Sequence, residues 1–188
     1  MQSLFHSTTS RKWAAGLLLA SLSLVTAAHA SLSAIGTSEV GFLAVGPAGL
    51  KIEGESSQLT AKESGGILTL TAPLTSLKTG ISLRDNHLKD ALNVSKHPTA
   101  QLAVKRAALK FPANDKSLEG SATGDFTLNG TKKPLKFNYK VSRTGSDYHV
   151  QGLATVDITK FKLEKPCYLG VCVSQDVKIK VKFKLRDK

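Results

Sequence analysis

Between Asp176 and Leu185 the chain reads DVKIKVKFKL, and every second residue is apolar. Val177, Ile179, Val181, Phe183 and Leu185 alternate with Lys178, Lys180, Lys182 and Lys184. Successive side chains of a strand point to opposite faces, whereas the apolar positions of a helix recur every three or four residues. This segment is therefore a β-strand with one dry and one wet face. A lone strand can neither pair its own backbone nor cover its own dry face, so the rest of the chain must supply a sheet.

The same period recurs upstream. TLNGTKKPLKFNYKV carries an Asn129-Gly130 turn signal between alternating segments, a hairpin signature. After the turn, Leu135, Phe137, Tyr139 and Val141 share one face, while Lys136, Asn138 and Lys140 share the other. In YHVQGLATVDI, Tyr148, Val150, Ala154, Val156 and Ile158 lie on one side, and Gly152 offers a place to bend. LKIEGE, QLTAKE, ILTLTAPL, AQLAVKRAALKF and EGSATGDFTL are further strand candidates, separated by Gly, Pro, Ser and Asn; about eight or nine strands result. Only RDNHLKDALNVSKHP, from Arg84 to Pro98, suggests a helix, with Leu88 and Leu92 at i and i+4 and Pro98 to stop it. Many short antiparallel strands with one connecting helix indicate an all-β barrel or sandwich. Alternation that persists through the last strand favours the barrel, which leaves no open edge.

The N-terminus stands apart from this pattern. Arg11 and Lys12 precede the apolar run WAAGLLLASLSLVTAA, which ends in Ala28-His29-Ala30. A basic region, a short apolar core and an A-x-A site are the parts of a secretory signal peptide, and the run falls short of the roughly 20 residues a spanning helix needs. Residues 1–30 are thus expected to be removed, leaving 31–188 as one β domain in the periplasm. Loss of Arg11 and Lys12 leaves 24 basic against 14 acidic groups. Such an excess attracts polyanions, but the aromatics Phe137, Tyr139 and Phe183 lie opposite the lysines, not beside them as base stacking requires. Nucleic acid is not an expected partner. The lysines read as a solvated outer face that also favours transient contact with anionic membrane surfaces.

Chemical motifs are sparse. Arg84, Asp85 and His87 form a single Asp-x-His without a second ligand pair at metal spacing. No serine sits in a G-x-S-x-G setting. The three are expected to serve structure, through an Arg–Asp pair that caps the short helix over one barrel end. Neither a catalytic residue nor a metal or other cofactor is expected, so the chain reads as a non-enzyme. Cys167 and Cys172, in CYLGVC, are expected to form a disulfide in an oxidising compartment, with buried free thiols as the alternative. Positions five apart on a straight strand lie roughly 16 Å apart, so the bond needs a turn near Pro166 and Gly170.

Three segments resemble a known family. TGISLRDNHLKDALNVSKHPTAQLAV is similar to T-x-N-x-x-R-D-x-H-L-R-S-x-x-F-F followed by Y-P-T; FTLNGTKKPLKF to L-T-I-H-G-V-T-K-P-V; and VDITKFKLEKP with DVKIKVKF to a closing R-x-D-F-G-I…V-x-I-x-I. In this order they resemble the YceI-like family. That resemblance implies an eight-stranded antiparallel lipocalin-like barrel with one or two short helices, whose elongated cavity holds polyisoprenoid or other long-chain lipids. The expected partner is then an isoprenoid, quinone or fatty-acyl amphiphile, and a homodimer is compatible with the pattern. Expected cavity residues are the inward set Phe126, Leu128, Phe137, Tyr139, Val156, Ile158, Ile179, Val181 and Phe183. The chain departs from the family at Gly46, where a histidine is usual, at Ala91 and Leu92, where phenylalanines are usual, and at Asn129, where the hairpin has a histidine.

Overall fold

A computed structural model describes residues 31–168 and 171–187. The expected signal peptide, 1–30, and the Gly170 turn lie outside the described residues. The strands, in chain order, are β1 (Leu32–Val45), β2 (Lys51–Ser56), β3 (Thr60–Ser64), β4 (Ile67–Pro73), β5 (Thr99–Lys105), β6 (Ser117–Leu128), β7 (Thr131–Thr144), β8 (Asp147–Asp157), β9 (Cys167–Tyr168), β10 (Val171–Cys172) and β11 (Asp176–Asp187). One α-helix, α1 (Ser82–Ala91), is present among the described residues.

The sheet runs β11-β8-β7-β6-β5-β4-β3-β1, and β11 pairs back onto β1, so the wall closes. Strands β2 and β3 act as one interrupted strand. Both lie antiparallel along β1, with Val40 opposite Ser56 and Ser33 opposite Lys62. At the interruption the Ser38 hydroxyl donates to the Leu59 carbonyl and satisfies a buried acceptor. The result is a closed, antiparallel, eight-stranded barrel in which neighbours in sequence are neighbours in space.

Local chemistry explains its corners. Asn129 and Gly130 both take positive φ, 47° and 66°, as a tight right-twisting hairpin requires. Alternation fails in β1, where Gly36 at φ 64° lies in a bulge and the register against β11 shifts between Ile35 and Glu39. Strand β8 runs unbroken through Gly152. A Cβ there would meet the Val181 side chain at 2.7 Å, so this glycine serves close packing of β8 on β11. The strand expected through residues 100–111 ends at Lys105, because Arg106–Ala108 turns as a 3-10 helix and the Arg106 N–H bonds the Gly66 carbonyl. Helix α1 stops before the proline: Asn93 adopts φ 52°, and the Val94 N–H closes back on the Lys89 carbonyl.

The two barrel ends differ. At one, Phe111 packs edge-on to Tyr148 with ring centroids 5.2 Å apart, over a core that includes Leu32, Val141, Phe183 and Leu185. There Arg106 reaches Glu63 at 2.8 Å and Asp187 at 3.5 Å, the Leu32 N–H donates to Glu63, and the Tyr148 hydroxyl donates to Asp187. This network ties β1, β3, β8, β11 and the 106–116 loop, and closes the end. At the other, Leu88 of α1 packs on a second apolar cluster that includes Leu74, Phe126 and Val156, with Ile158, Phe161 and Leu163 from the segment after β8.

Candidate ligand cavity

Residue size along the strands decides where the barrel is solid. On β11, Val177, Ile179 and Val181 border open space, while Phe183 and Leu185 are buried in the closed end. On β7 the change falls between Phe137 and Tyr139. Inward positions of the open half are often small: Ala44, Ala72, Ala100, Gly152 and Ala154. The interior of an eight-stranded barrel is just wide enough for packed side chains or one small ligand. Small residues facing one another therefore leave a hollow, here of about 960 Å³.

Its lining is mainly Leu, Ile, Val, Ala and Phe, with Thr79, Arg84, His87, Gln101 and Glu164 among the few polar side chains. The wall reaches solvent where Leu50, Ile81 and Leu83 are 48%, 49% and 62% exposed. Five residues, Leu70, Leu102, Phe137, Gly152 and Val181, also border a second void of about 60 Å³ toward the closed end.

Of the nine residues expected to line a cavity, Phe126, Leu128, Phe137, Val156, Ile158, Ile179 and Val181 do so. Tyr139 and Phe183 do not border the large hollow. They lie beside the smaller void, in the closed-end core, where the Tyr139 hydroxyl accepts from the Lys110 N–H at 2.8 Å. Alternation reports which face a residue points to, not its depth. The lining from α1 and the loops, including Leu50, Ile81, Leu83 and Val173, carries no period-two signal.

Helix α1 presents Arg84, His87, Leu88 and Ala91 to the hollow, the i, i+3, i+4, i+7 face of a helix. The expected Arg84–Asp85 pair does not form. Neighbours on a helix point in different directions, and Asp85, only 7% exposed, turns instead to the preceding loop. Its carboxylate accepts from the Thr79 hydroxyl and from the Thr79 N–H, each at 2.7 Å, and Lys78 lies 3.9 Å away. The Thr79 hydroxyl first and the Thr79 N–H second hold the Asp85 carboxyl below its ordinary 3.8, with Lys78 assisting against the opposing effect of burial. Asp85 anchors the helix, and its position in the first turn also suits the helix dipole.

The departures from the family pattern fall around this mouth. Ala91 and Leu92 line the hollow with less bulk than paired phenylalanines would. Asn129 donates to the Phe161 carbonyl at 3.0 Å and accepts from Asn93 at 3.2 Å, clamping the hairpin to both mouth loops. At Gly46 the backbone is extended, and an added Cβ would make only ordinary contacts, with Leu50 at 3.4 Å and Val173 at 3.6 Å. A disulfide joins Cys167 to Cys172 across the β9–β10 ribbon, with Cα atoms 4.0 Å apart, and Cys167 also borders the hollow. No group of three or more His, Cys, Asp or Glu side chains suited to a metal ion occurs among the described residues, and no helix there is long and apolar enough to cross a membrane.

The family model for the YceI-like domain matches residues 25–185. The chain belongs to the YceI-like family. Curated relatives of limited overlap are UPF0312 proteins from Pectobacterium atrosepticum, 37% identical over 82 residues, and from Photorhabdus laumondii, 35% identical over 85 residues. Each match spans 43% of this chain and 40% of the relative's length. Solved structures agree on the YceI-like fold. A polyisoprenoid binding domain from Saccharophagus degradans superposes with a TM-score of 0.70 at 17% identity, covering 85% of this chain and 100% of that domain. Burkholderia cenocepacia BcnA gives 0.63 at 15% identity, covering 78% of this chain and 95% of BcnA. The Campylobacter jejuni YceI protein gives 0.56 at 18% identity, covering 73% and 85% respectively.

Proposed function

We propose that this protein binds a long-chain amphiphile, such as a polyisoprenoid, quinone or fatty-acyl lipid, in the barrel cavity, and that it carries or sequesters the lipid in the periplasm without transforming it. The observation behind this reading is the apolar hollow of about 960 Å³, open at one end and closed by aromatics and an ion-pair network at the other. Family membership supports it, as does the likeness to a polyisoprenoid binding domain. Each buried methylene contributes about 0.8 kcal/mol, so ten offer roughly 8 kcal/mol before ordering costs of several kcal/mol. Useful affinity thus needs a long tail inside and leaves the head at the mouth. Native mass spectrometry of protein purified from its own host tests this directly: a retained amphiphile is the expected result. Its absence, together with failure of added isoprenoid or acyl chains to displace a neutral dye, counts against the cavity as a lipid site.

Loading and release require the mouth to meet a membrane. Leu50, Ile81 and Leu83 are exposed there, and Lys51, Lys78, Lys89, Lys160, Lys162 and Lys165 lie on the same end of the barrel. Exposed apolar residues with cations on the same segments suit an anionic bilayer. The protein should sediment with anionic vesicles at low salt and not with neutral ones.

A second reading rests on the outer wall, where Lys178, Lys180, Lys182 and Lys184 form a solvated row along β11. Such a row attracts anionic envelope polymers. Salt separates the readings, because surface attraction is screened within about 8 Å at physiological ionic strength whereas burial of a tail is not.

A further inference from the structure

We propose that the amphiphile held in this cavity carries an anionic head, a phosphate or a carboxylate, and that Arg84 is the side chain that receives it. The inference rests on the cavity being a lipid site, as proposed above. Arg84 is half-buried and borders the hollow. A guanidinium stays charged at any physiological pH, and a charge beside an apolar space is costly unless a counter-charge meets it. Among the described residues no carboxylate pairs with it. Asp85, the nearest acid in sequence, is committed to Thr79 and Lys78, and no ion pair or side-chain hydrogen bond of Arg84 occurs among the described residues. Glu164 is the carboxylate on the described lining, and it is exposed to water after β8.

Placement agrees with chemistry. Arg84 follows Ile81 and Leu83, whose exposure marks the waterline of the cavity, while Leu88 and Leu92 farther along pack on the inner cluster. A tail lying along Leu88 toward Phe126 and Ile179 therefore leaves its head level with Arg84. His87 borders the hollow on the same helix face, one turn beyond. The planar guanidinium fork matches two oxygens of a phosphate or carboxylate at once, which an alcohol cannot offer.

The test compares amphiphiles of equal tail: farnesyl phosphate against farnesol, and laurate against dodecan-1-ol, each displacing Nile red from the intact protein. The anionic member of at least one pair should bind about tenfold tighter or more, the range for a charge-assisted contact. Whichever pair shows the larger ratio names the head group. Arg84→Gln should bring the anion down to the affinity of its alcohol, Arg84→Lys should keep part of the preference, and Lys136→Gln, on the outer face of β7, should keep all of it. Equal affinity within both pairs overturns the inference and leaves the lipid reading standing, since the tails still bind. A preference that survives Arg84→Gln overturns the role of Arg84. If neither dye nor any chain enters, both this inference and the lipid reading fall. The chain-matched comparison needs no variant, so a misfolded substitution does not decide the matter.

Discussion

Two buried acids hold opposite ends of this barrel, and each makes a separate prediction. Glu63 accepts from Arg106 and from the Leu32 N–H, with side-chain exposures of 6% for Glu63 and 27% for Arg106. Glu63→Ala leaves a partly buried guanidinium and a backbone donor without their acceptor. Removing one partner of such a pair costs about 3 kcal/mol, the low end of the range because Arg106 keeps some water. For a domain of this size that lowers the melting temperature by roughly 6–12 °C, measurable by circular dichroism. Asp85 predicts a pH dependence. Its carboxyl is held below 3.8, so the unfolded chain binds its proton more tightly than the folded one, and stability rises with pH through that window. The contribution is complete above 3.8 and is lost as the pH falls through the lower, folded value. Thr79→Val removes the hydroxyl that is the largest single cause of the shift. The variant should be less stable than the parent to urea near neutral pH, and the gap should narrow in strong acid; a gap independent of pH would contradict this account. At this scale the sequence was half legible. Asp85 stands out as an acid near a helix start, yet its partner Thr79 belongs to a loop six residues away and only the folded chain brings the two together.

Elements were legible in proportion to their regularity. β11 declares itself by uninterrupted alternation, and the β6–β7 hairpin by Asn129-Gly130. β1 is long and central, yet the Gly36 bulge moves residues to the other face halfway along it, and the period-two signal disappears. The helix was visible through Leu88 and Leu92, whereas its end at Asn93 was not, because a left-handed residue competes with the more obvious proline. The cysteine ribbon is a separate two-stranded sheet outside the barrel wall. It is held by its disulfide, by the Val173 N–H on the Pro166 carbonyl and by the Ser174 N–H on the Val45 carbonyl. Closing so small a loop restricts the unfolded chain by about 2 kcal/mol in the entropy treatment. Reduction should therefore lower the melting temperature by roughly 4–8 °C and leave the barrel folded. The far-ultraviolet circular dichroism of the reduced protein checks this, and a collapse of the β signal at room temperature would show that the ribbon supports more than itself.

For the whole molecule the question is why a barrel of this size is hollow in one half and solid in the other. Closure and pairing are uniform around the wall, so the difference lies in side-chain volume. Tyr139, Tyr148, Phe111 and Phe183 fill the closed half, while Ala44, Ala72, Ala100, Gly152 and Ala154 face the open half. Alternation in sequence identifies all of these as inward-facing or leaves their face open, but depth emerges only when eight strands are staggered around a common axis. A single change of volume should then separate the hollow from the fold. Ala154 sits between Phe137 and Ile179 on neighbouring strands, and all three border the cavity. Ala154→Phe places a ring in empty space, where it meets apolar walls and needs no repacking, unlike the same change in a filled core. The melting temperature should hold within about 2 °C or rise, since the change avoids the mechanisms that make substitutions severe. Binding of a farnesyl or dodecyl chain should fall sharply, because the ring and the tail compete for one volume. If the variant folds and binds such chains as well as its parent, the tail lies elsewhere on the protein and the hollow is not its site.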